Sequence, residues 1–156
     1  MKYTLLLIIF SCLMSLPGKA HSANQEFTAL AQEILARCRG NAIDGYKMDS
    51  FTITDNKLEV TEIFQEPYGD IITTYQSSVK LDALTTEVVF TMERNLYLKC
   101  KDDISCFDIT KTLEEEFSLD STTSQYTTKY RGYGLCEVRH GEKLAKQVSQ
   151  IIRHAN

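Results

Sequence analysis

The sequence has no block of basic residues and no excess of positive charge. It contains 17 Lys and Arg residues against 21 Asp and Glu residues, which gives a formal net charge of −4 at pH 7. Nucleic acids and anionic membranes attract proteins through clustered lysine and arginine side chains. The composition therefore argues against both of them as partners.

The sequence also lacks an apolar run long enough to span a membrane. The stretch Leu5–Leu16 is interrupted by polar residues, and it is well short of the roughly 20 apolar residues that a spanning helix needs. Lys2 precedes this stretch and small residues follow it, which is the pattern of a secretory signal peptide. We expect residues 1–20 to be a signal peptide, cleaved after Ala20 or, alternatively, after Ser22.

No internal repeat or change in composition marks a second domain. Residues 21–156 have the length of one domain with its own core. Loss of Lys2 and Lys19 with the signal peptide would change the net charge from −4 to −6. We expect one exported domain, located in the periplasm or secreted.

The short motifs of common catalytic and nucleotide-binding sites are missing as well. The chain has no G-x-S-x-G, no H-E-x-x-H, no Walker loop and no G-x-G-x-x-G after a strand. His140 is the one histidine inside the predicted fold, and Glu137 and Glu142 lie near it in sequence. A histidine beside a carboxylate can act as a general acid or base, although a surface or capping role explains His140 better. A weak hydrolase or isomerase that uses His140 is one alternative function, and we expect no cofactor.

No Cys-x-x-Cys pair is present, so the usual beginning of a zinc site is absent. Four cysteines remain outside the predicted signal peptide: Cys38, Cys100, Cys106 and Cys136. An even number of cysteines in an exported domain predicts two disulfide bonds. Three pairings are possible. The short loop between Cys100 and Cys106 favours a bond between them, which leaves Cys38 to pair with Cys136.

Residues 87–110 predict a β-hairpin around which the domain is organised. Apolar side chains alternate with other residues along its first part, at Val88, Phe90, Met92, Leu96, Leu98 and Cys100. Such alternation is typical of a half-buried strand, since successive side chains point to opposite faces. The polar loop Lys101–Ser105 follows, and Cys106 begins the expected return strand. A Cys100–Cys106 disulfide would close this hairpin.

Further alternating patterns predict about six strands in all. Tyr46–Glu66 should form two strands around Asp55 and Asn56, and residues 71–82 should form one long strand with an apolar and a polar face. Thr110–Leu119 has Leu113 and Phe117 four residues apart, which predicts a short helix or a covering loop.

Two segments have the spacing of amphipathic helices. The first follows Asn24, a plausible N-cap, with apolar residues at Phe27, Leu30, Ala31, Ile34, Leu35 and Cys38. The second lies near the C-terminus, with apolar residues at Leu144, Val148, Ile151, Ile152 and Ala155.

This order of elements predicts an α+β domain. An N-terminal helix should precede a curved antiparallel sheet or partial barrel, and the C-terminal helix should cover the open side of the sheet. At the level of fold analogy this resembles a pleckstrin-homology-like roll, with a cone-shaped fold of the nuclear-transport-factor-2 type as the alternative. An analogy of fold implies no function.

The stretch Thr122–Tyr133 has the composition of a recognition surface. Tyr126, Tyr130 and Tyr133 lie among Ser, Thr and Gly residues. Tyrosine provides rigid contact area, and hydroxyl groups adapt their hydrogen bonds to a partner. Tyr and Thr are also good strand formers that can simply cover a sheet. We expect Tyr126 and Tyr130 to share one face of a strand.

These observations predict a non-enzymatic binding domain whose partner is a protein or an envelope component. An inhibitor or immunity-type role belongs to this class, although no residue singles it out. A second alternative is a carrier that holds a small apolar ligand between the sheet and the C-terminal helix. The oligomeric state is not predicted.

Overall fold

A computed structural model describes residues 28–33, 36, 45–54, 56–65, 70–91, 95–115, 120–134 and 141–156. These residues form a mixed α+β fold of antiparallel sheets with a C-terminal helix. Residues 28–33 are helical, and Leu30 and Ala31 are buried among them. The bounds of the predicted N-terminal helix lie outside the described residues. The predicted signal peptide, Cys38, Cys136 and His140 lie outside them too.

Eight strands are described: β1 (Tyr46–Thr54), β2 (Lys57–Gln65), β3 (Ile71–Lys80), β4 (Val89–Phe90), β5 (Asn95–Lys99), β6 (Phe107–Glu115), β7 (Ser121–Thr128) and β8 (Tyr130–Gly134). Two 3-10 turns, Leu81–Ala83 and Lys101–Asp103, and the helix Gly141–Ala155 are the other elements whose bounds are described. The strand order is β1-β2-β3-β6-β7 in a five-stranded sheet and β4-β5-β8 in a three-stranded sheet.

The first three strands are where the alternation of side chains predicts them. β1 and β2 form a hairpin in which Thr54 pairs with Lys57. β2 then pairs along its whole length with β3. Val79 and Ser77 on β3 are buried, so the apolar face predicted for this strand is its core-side face. The one irregularity is a register shift in β1 between Met48 and Ser50.

The prediction of a hairpin at residues 87–110 is wrong. Lys99 pairs with Tyr130, and Phe107 pairs with Thr128 on the same opposing chain. β6 therefore continues in the direction of β5 instead of returning beside it. The Cys100 and Cys106 amides donate to the backbone oxygens of Lys129 and Thr128 at 2.8 and 3.2 Å. β5 and β6 thus lie in line as two parts of one long strand. Residues 101–105 form a loop between them, opposite Lys129.

The Cys100–Cys106 disulfide is present, and it closes this loop at its base. The two Cα atoms lie 5.8 Å apart, and Cys100 is buried. Because the bond holds both ends of the loop together, β5 and β6 can pair with one continuous stretch of opposing chain. The spacing of the cysteines predicts the bond, but it does not predict whether the bond closes a hairpin or a loop inserted into a strand. Both arrangements bring the two cysteines equally close.

The neighbouring strand is interrupted at the same level. After β3, the 3-10 turn Leu81–Ala83 leads to Leu84, which forms a β-bridge with Cys100. The Thr85 amide then donates to the Lys99 carbonyl at 2.8 Å. Regular pairing is therefore interrupted at the same level in three neighbouring segments: after β3, between β5 and β6, and between β7 and β8. The five-stranded sheet lies on one side of this line and the three-stranded sheet on the other.

The prediction of a short helix or covering loop at Thr110–Leu119 is wrong for residues 110–115, which belong to β6. This strand pairs on one side with β3 and on the other with β7. Lys111 interrupts the apolar alternation of this strand in the sequence, because a charged residue occupies the core-side position between Ile109 and Leu113. Its ammonium nitrogen lies 5.8 Å from the centroid of the Tyr75 ring. A lysine can lay its aliphatic stem along an apolar surface while its charge approaches an aromatic ring.

The C-terminal helix packs against the 3-10 turn Leu81–Ala83 and against β4, and its predicted apolar stripe is confirmed. Val148, Ile151 and Ile152 are buried in the core. The Ser149 hydroxyl donates to the Thr86 carbonyl at 2.6 Å, which ties the helix to the segment before β4. No helix among the described residues is long and apolar enough to cross a membrane.

Candidate functional site

The tyrosines predicted to form one binding surface lie in three different environments. Lys129 separates β7 from β8 and adds a residue to the strand, so the alternation of faces shifts there. Tyr126 pairs with the buried Ile109 and lies on the core-side face. Tyr130 pairs with the exposed Lys99 and lies on the outer face. The expectation that Tyr126 and Tyr130 share a face is therefore wrong.

Tyr133 is fully buried, so it cannot act as a surface contact residue. Its ring meets the Phe51 ring edge-on, with centroids 6.3 Å apart and an interplanar angle of 85°. Its hydroxyl forms a hydrogen bond with the Ser77 hydroxyl at 3.1 Å. Burial raises the pKa of the Tyr133 hydroxyl well above its usual value. Tyr133 belongs to the core, where it joins β8 to β1 and β3.

Tyr130 belongs to an exposed apolar surface on the three-stranded sheet. Val89 pairs with Tyr97 across β4 and β5, and Tyr130 lies on β8 beside them. The exposed fractions are 45% for Val89, 37% for Tyr97 and 63% for Tyr130. We name Val89, Tyr97 and Tyr130 the outer patch.

Gly132 shapes the outer patch, because it lets an aromatic ring lie directly over the sheet. Gly132 is the residue on β8 that pairs with Tyr97. A Cβ atom at Gly132 would lie only 2.7 Å from the Tyr97 ring. The ring rests on the strand backbone in the space that a side chain would occupy. Tyr97 therefore presents an aromatic face whose position is already restricted, which reduces the entropy that binding would cost.

The disulfide-closed loop lies next to the strand that carries Tyr130. The Lys129 ammonium donates to the Asp103 carboxylate at 2.8 Å, and the hydrogen bond and charge of Lys129 lower the pKa of Asp103. Asp102 and Asp103 have positive φ angles of 52° and 55°, a backbone conformation that Asp adopts more readily than most residues. Ile104 follows them and is strongly exposed. The loop thus adds charged groups and one apolar side chain near the outer patch.

A buried ion pair joins the two sheets on their core side. One carboxylate oxygen of Glu62 accepts from the Arg131 guanidinium, and the other accepts from the Tyr46 hydroxyl at 2.5 Å. The guanidinium also lies 5.2 Å from the centroid of the Tyr75 ring and 5.9 Å from that of Tyr133. Burial opposes the charge on Arg131, but the Glu62 carboxylate outweighs it and raises the pKa of Arg131.

We assign this ion pair a structural role, because it links β2 to β8 and both oxygens of Glu62 already have partners. Sequence reasoning missed it, although a signal was present. Glu62 falls on the same face of β2 as Leu58 and Val60, where an acidic residue needs a partner. The alternation of β2 could have identified Glu62 as buried, but nothing local could have identified Arg131 as its partner.

A shallow groove of about 480 Å³ runs between the C-terminal helix and residues 86–90. This is where the carrier hypothesis places a small apolar ligand. Val88, Phe90 and Ala145 supply apolar lining, but charged residues also line the groove, namely Glu87, Glu142, Lys146 and Arg153. The mixed lining does not favour an apolar ligand, and the carrier hypothesis stays a prediction.

The described residues contain no group of three His, Cys, Asp or Glu side chains that could hold a metal ion. The alternative of a hydrolase or isomerase stays a prediction, because His140 lies outside the described part of the chain. No protein-family model, no curated protein and no solved structure matches the sequence or the fold. The function therefore has to be inferred from the residues themselves.

Proposed function

We propose that this chain is a small exported binding domain without enzymatic activity, and that its partner is a protein or an envelope component. The observation that carries the proposal is the outer patch, in which Val89, Tyr97 and Tyr130 are exposed on neighbouring strands. Tyrosine side chains are enriched in protein interfaces and account for many of their strongest contacts.

The surroundings of the outer patch also suit a binding surface. Lys99 pairs directly with Tyr130, and the exposed ion pair of Lys129 and Asp103 lies next to it along the chain. Protein interfaces commonly combine a central apolar and aromatic area with a polar rim. The patch is small, so it fits one site of contact within a larger interface and does not by itself define the partner.

The cysteines support the proposal that the protein is exported. A disulfide such as Cys100–Cys106 persists in oxidising compartments and is rare in reducing ones. The predicted signal peptide at residues 1–20 and a second disulfide between Cys38 and Cys136 complete this hypothesis. A pleckstrin-homology-like roll is the fold that we propose by analogy, since a bent antiparallel sheet ends in a helix that packs on it.

The proposal is tested by measuring capture of a partner from envelope extract and then its affinity for purified variants. We expect a Tyr97→Ala, Tyr130→Ala double variant to weaken binding by about tenfold or more, since interface tyrosines often contribute over 1 kcal/mol each. Tyr126→Ala is the matched control, because Tyr126 is an exposed tyrosine on the other face of the sheet. Equal loss in the control, or no loss in the double variant, would contradict the outer patch as the binding site.

A further inference from the structure

Among the residues that the structure describes, β7 has a strand partner on one side only, so its outer edge is a candidate pairing surface on the five-stranded sheet. β7 stands last in the strand order and pairs on one side with β6. Residues 121–127 are all exposed. The backbone N–H and C=O groups on an unpaired edge can form a new ladder with another strand.

The other edges of the described sheets carry the features that normally prevent such pairing. β1 contains Lys47 and Asp49, which form an ion pair, and its register shift lies at the same place. β4 has only two residues and lies against the C-terminal helix. On β8, the Tyr46 ring lies over Gly134, and its hydroxyl donates to the Gly134 carbonyl at 3.3 Å. Charges, bulges, short length and covering groups all discourage edge-to-edge association.

β7 has none of these protections from the part of the chain that the structure describes. Its sequence, STTSQYTT, contains no charged residue, no proline and no glycine over eight residues. Ser, Thr and Tyr are compatible with a strand and carry hydroxyl groups that form cross-strand hydrogen bonds. The edge is polar and lacks the run of apolar side chains that makes an exposed edge strand prone to aggregate.

We propose that this edge pairs with the β7 edge of a second copy of the chain, antiparallel about a twofold axis near Ser124 and Gln125. The two five-stranded sheets would then form one continuous ten-stranded sheet across the dimer. In an antiparallel pair, facing residues lie on the same side of the sheet, so the core-side faces of both copies stay on one side.

The distribution of charge at the ends of β7 favours the antiparallel arrangement of two copies. At the beginning of the strand, Glu114 pairs with Ser121, and the exposed Glu115 and Asp120 lie nearby. At its end, Lys129 follows Thr128. Lys129 already forms an ion pair with Asp103 of its own chain, so antiparallel pairing sets each acidic end beside this ion pair and not beside the acidic end of the other copy. It also separates the two acidic ends by roughly 25 Å, at about 3.3 Å per residue, which exceeds the screening length of about 8 Å at physiological salt.

The dimer goes beyond the proposed function, because it uses the β7 edge and not the outer patch. If the dimer is not found, the proposed binding function is unaffected, and the reverse is also true. A partner-binding measurement with the outer-patch variants and a mass measurement with the β7 variants therefore give separate answers.

Analytical ultracentrifugation of the oxidised protein without the predicted signal peptide (residues 21–156) tests the dimer. We expect a concentration-dependent change from monomer to dimer between micromolar and millimolar protein. Gln125→Lys should weaken the dimer by about tenfold or more, since it sets two lysines near the axis on an edge strand. Thr52→Lys is the matched control, because Thr52 is an exposed residue on β1, the other edge of the same sheet, and the dimer should tolerate it.

Circular dichroism of both variants shows that they are folded, and hydrogen exchange of the unmodified chain gives a second readout. Alternate β7 amides point away from β6, and these should gain protection as the protein concentration rises. The inference is overturned if the unmodified chain remains a monomer at millimolar concentration. It is also overturned if Thr52→Lys weakens the dimer as much as Gln125→Lys, or if the β7 amides gain no protection.

Discussion

Replacement of Arg131 by Met is expected to destabilise the fold strongly, because it leaves a buried carboxylate without its counter-charge. The Glu62 side chain is 4% exposed, and it would keep the Tyr46 hydroxyl as its hydrogen-bond donor. Removing one partner of a buried ion pair costs about 3–5 kcal/mol. The remaining hydrogen bond favours the lower end of this range, so we expect a loss of about 3 kcal/mol in the free energy of unfolding.

The reciprocal change, Glu62→Gln, should cost less. The Arg131 side chain is 20% exposed and lies over two aromatic rings, so water and the rings still stabilise its charge. We expect a loss of about 1–2 kcal/mol, which is the scale of a lost hydrogen bond to a charged group. The double variant removes both charges together. Its cost should be about 2 kcal/mol, well below the sum of the single changes.

Urea unfolding of the four proteins measures this coupling. The chain contains no tryptophan, so circular dichroism is the appropriate signal. We expect a coupling energy of about 2 kcal/mol between the two positions. Additive effects within about 0.5 kcal/mol, the usual agreement for independent sites, would refute the assignment of Glu62 and Arg131 as a buried, mutually dependent pair.

Two further predictions concern Tyr133 and the disulfide. Because the folded state raises the pKa of Tyr133, its contribution to stability is present below the unfolded-state pKa of about 10 and is lost as the pH rises above it. The free energy of unfolding should therefore fall by about 1.4 kcal/mol per pH unit from this group. Tyr133→Phe should remove that part of the slope and Tyr126→Phe should not, and an unchanged slope in Tyr133→Phe would count against the burial of this hydroxyl. Replacing both Cys100 and Cys106 by Ser should lower the free energy of unfolding by about 2 kcal/mol in the loop-entropy model, measured by the urea midpoint. No change would show that the disulfide does not hold the loop closed against the sheet.

Local alternation was sufficient to predict the strands that contain one apolar face. β1, β2 and β3 fall where the pattern places them, because each alternates regularly and the turn residues near Asn56 separate the first two. The C-terminal helix could be predicted equally well from the sequence, since its apolar stripe repeats with the helical period. These elements depend on residues that are close together in sequence.

The errors arose where a distant part of the chain decides the structure. A short polar loop between two strands usually means a hairpin, but here residues 121–134 pair with both flanking strands and hold them in line. Lys129 shifts the alternation by one residue, and for this reason Tyr130 turns outward while Tyr133 turns into the core. The Lys111 side chain concealed β6 in the same way, because its core-side position depends on Tyr75 of the neighbouring strand.

Photo-crosslinking from Tyr130 tests the proposed binding function most directly. A photoreactive phenylalanine analogue is placed at position 130 in one protein and at position 126 in another, and each is exposed to envelope extract. The two positions lie on opposite faces of the same stretch of chain, which makes them well matched. The proposed binding site predicts one dominant crosslinked partner from position 130, lost on Tyr97→Ala, and little from position 126. Crosslinks of equal yield and identity from both positions, or none from position 130, would contradict it.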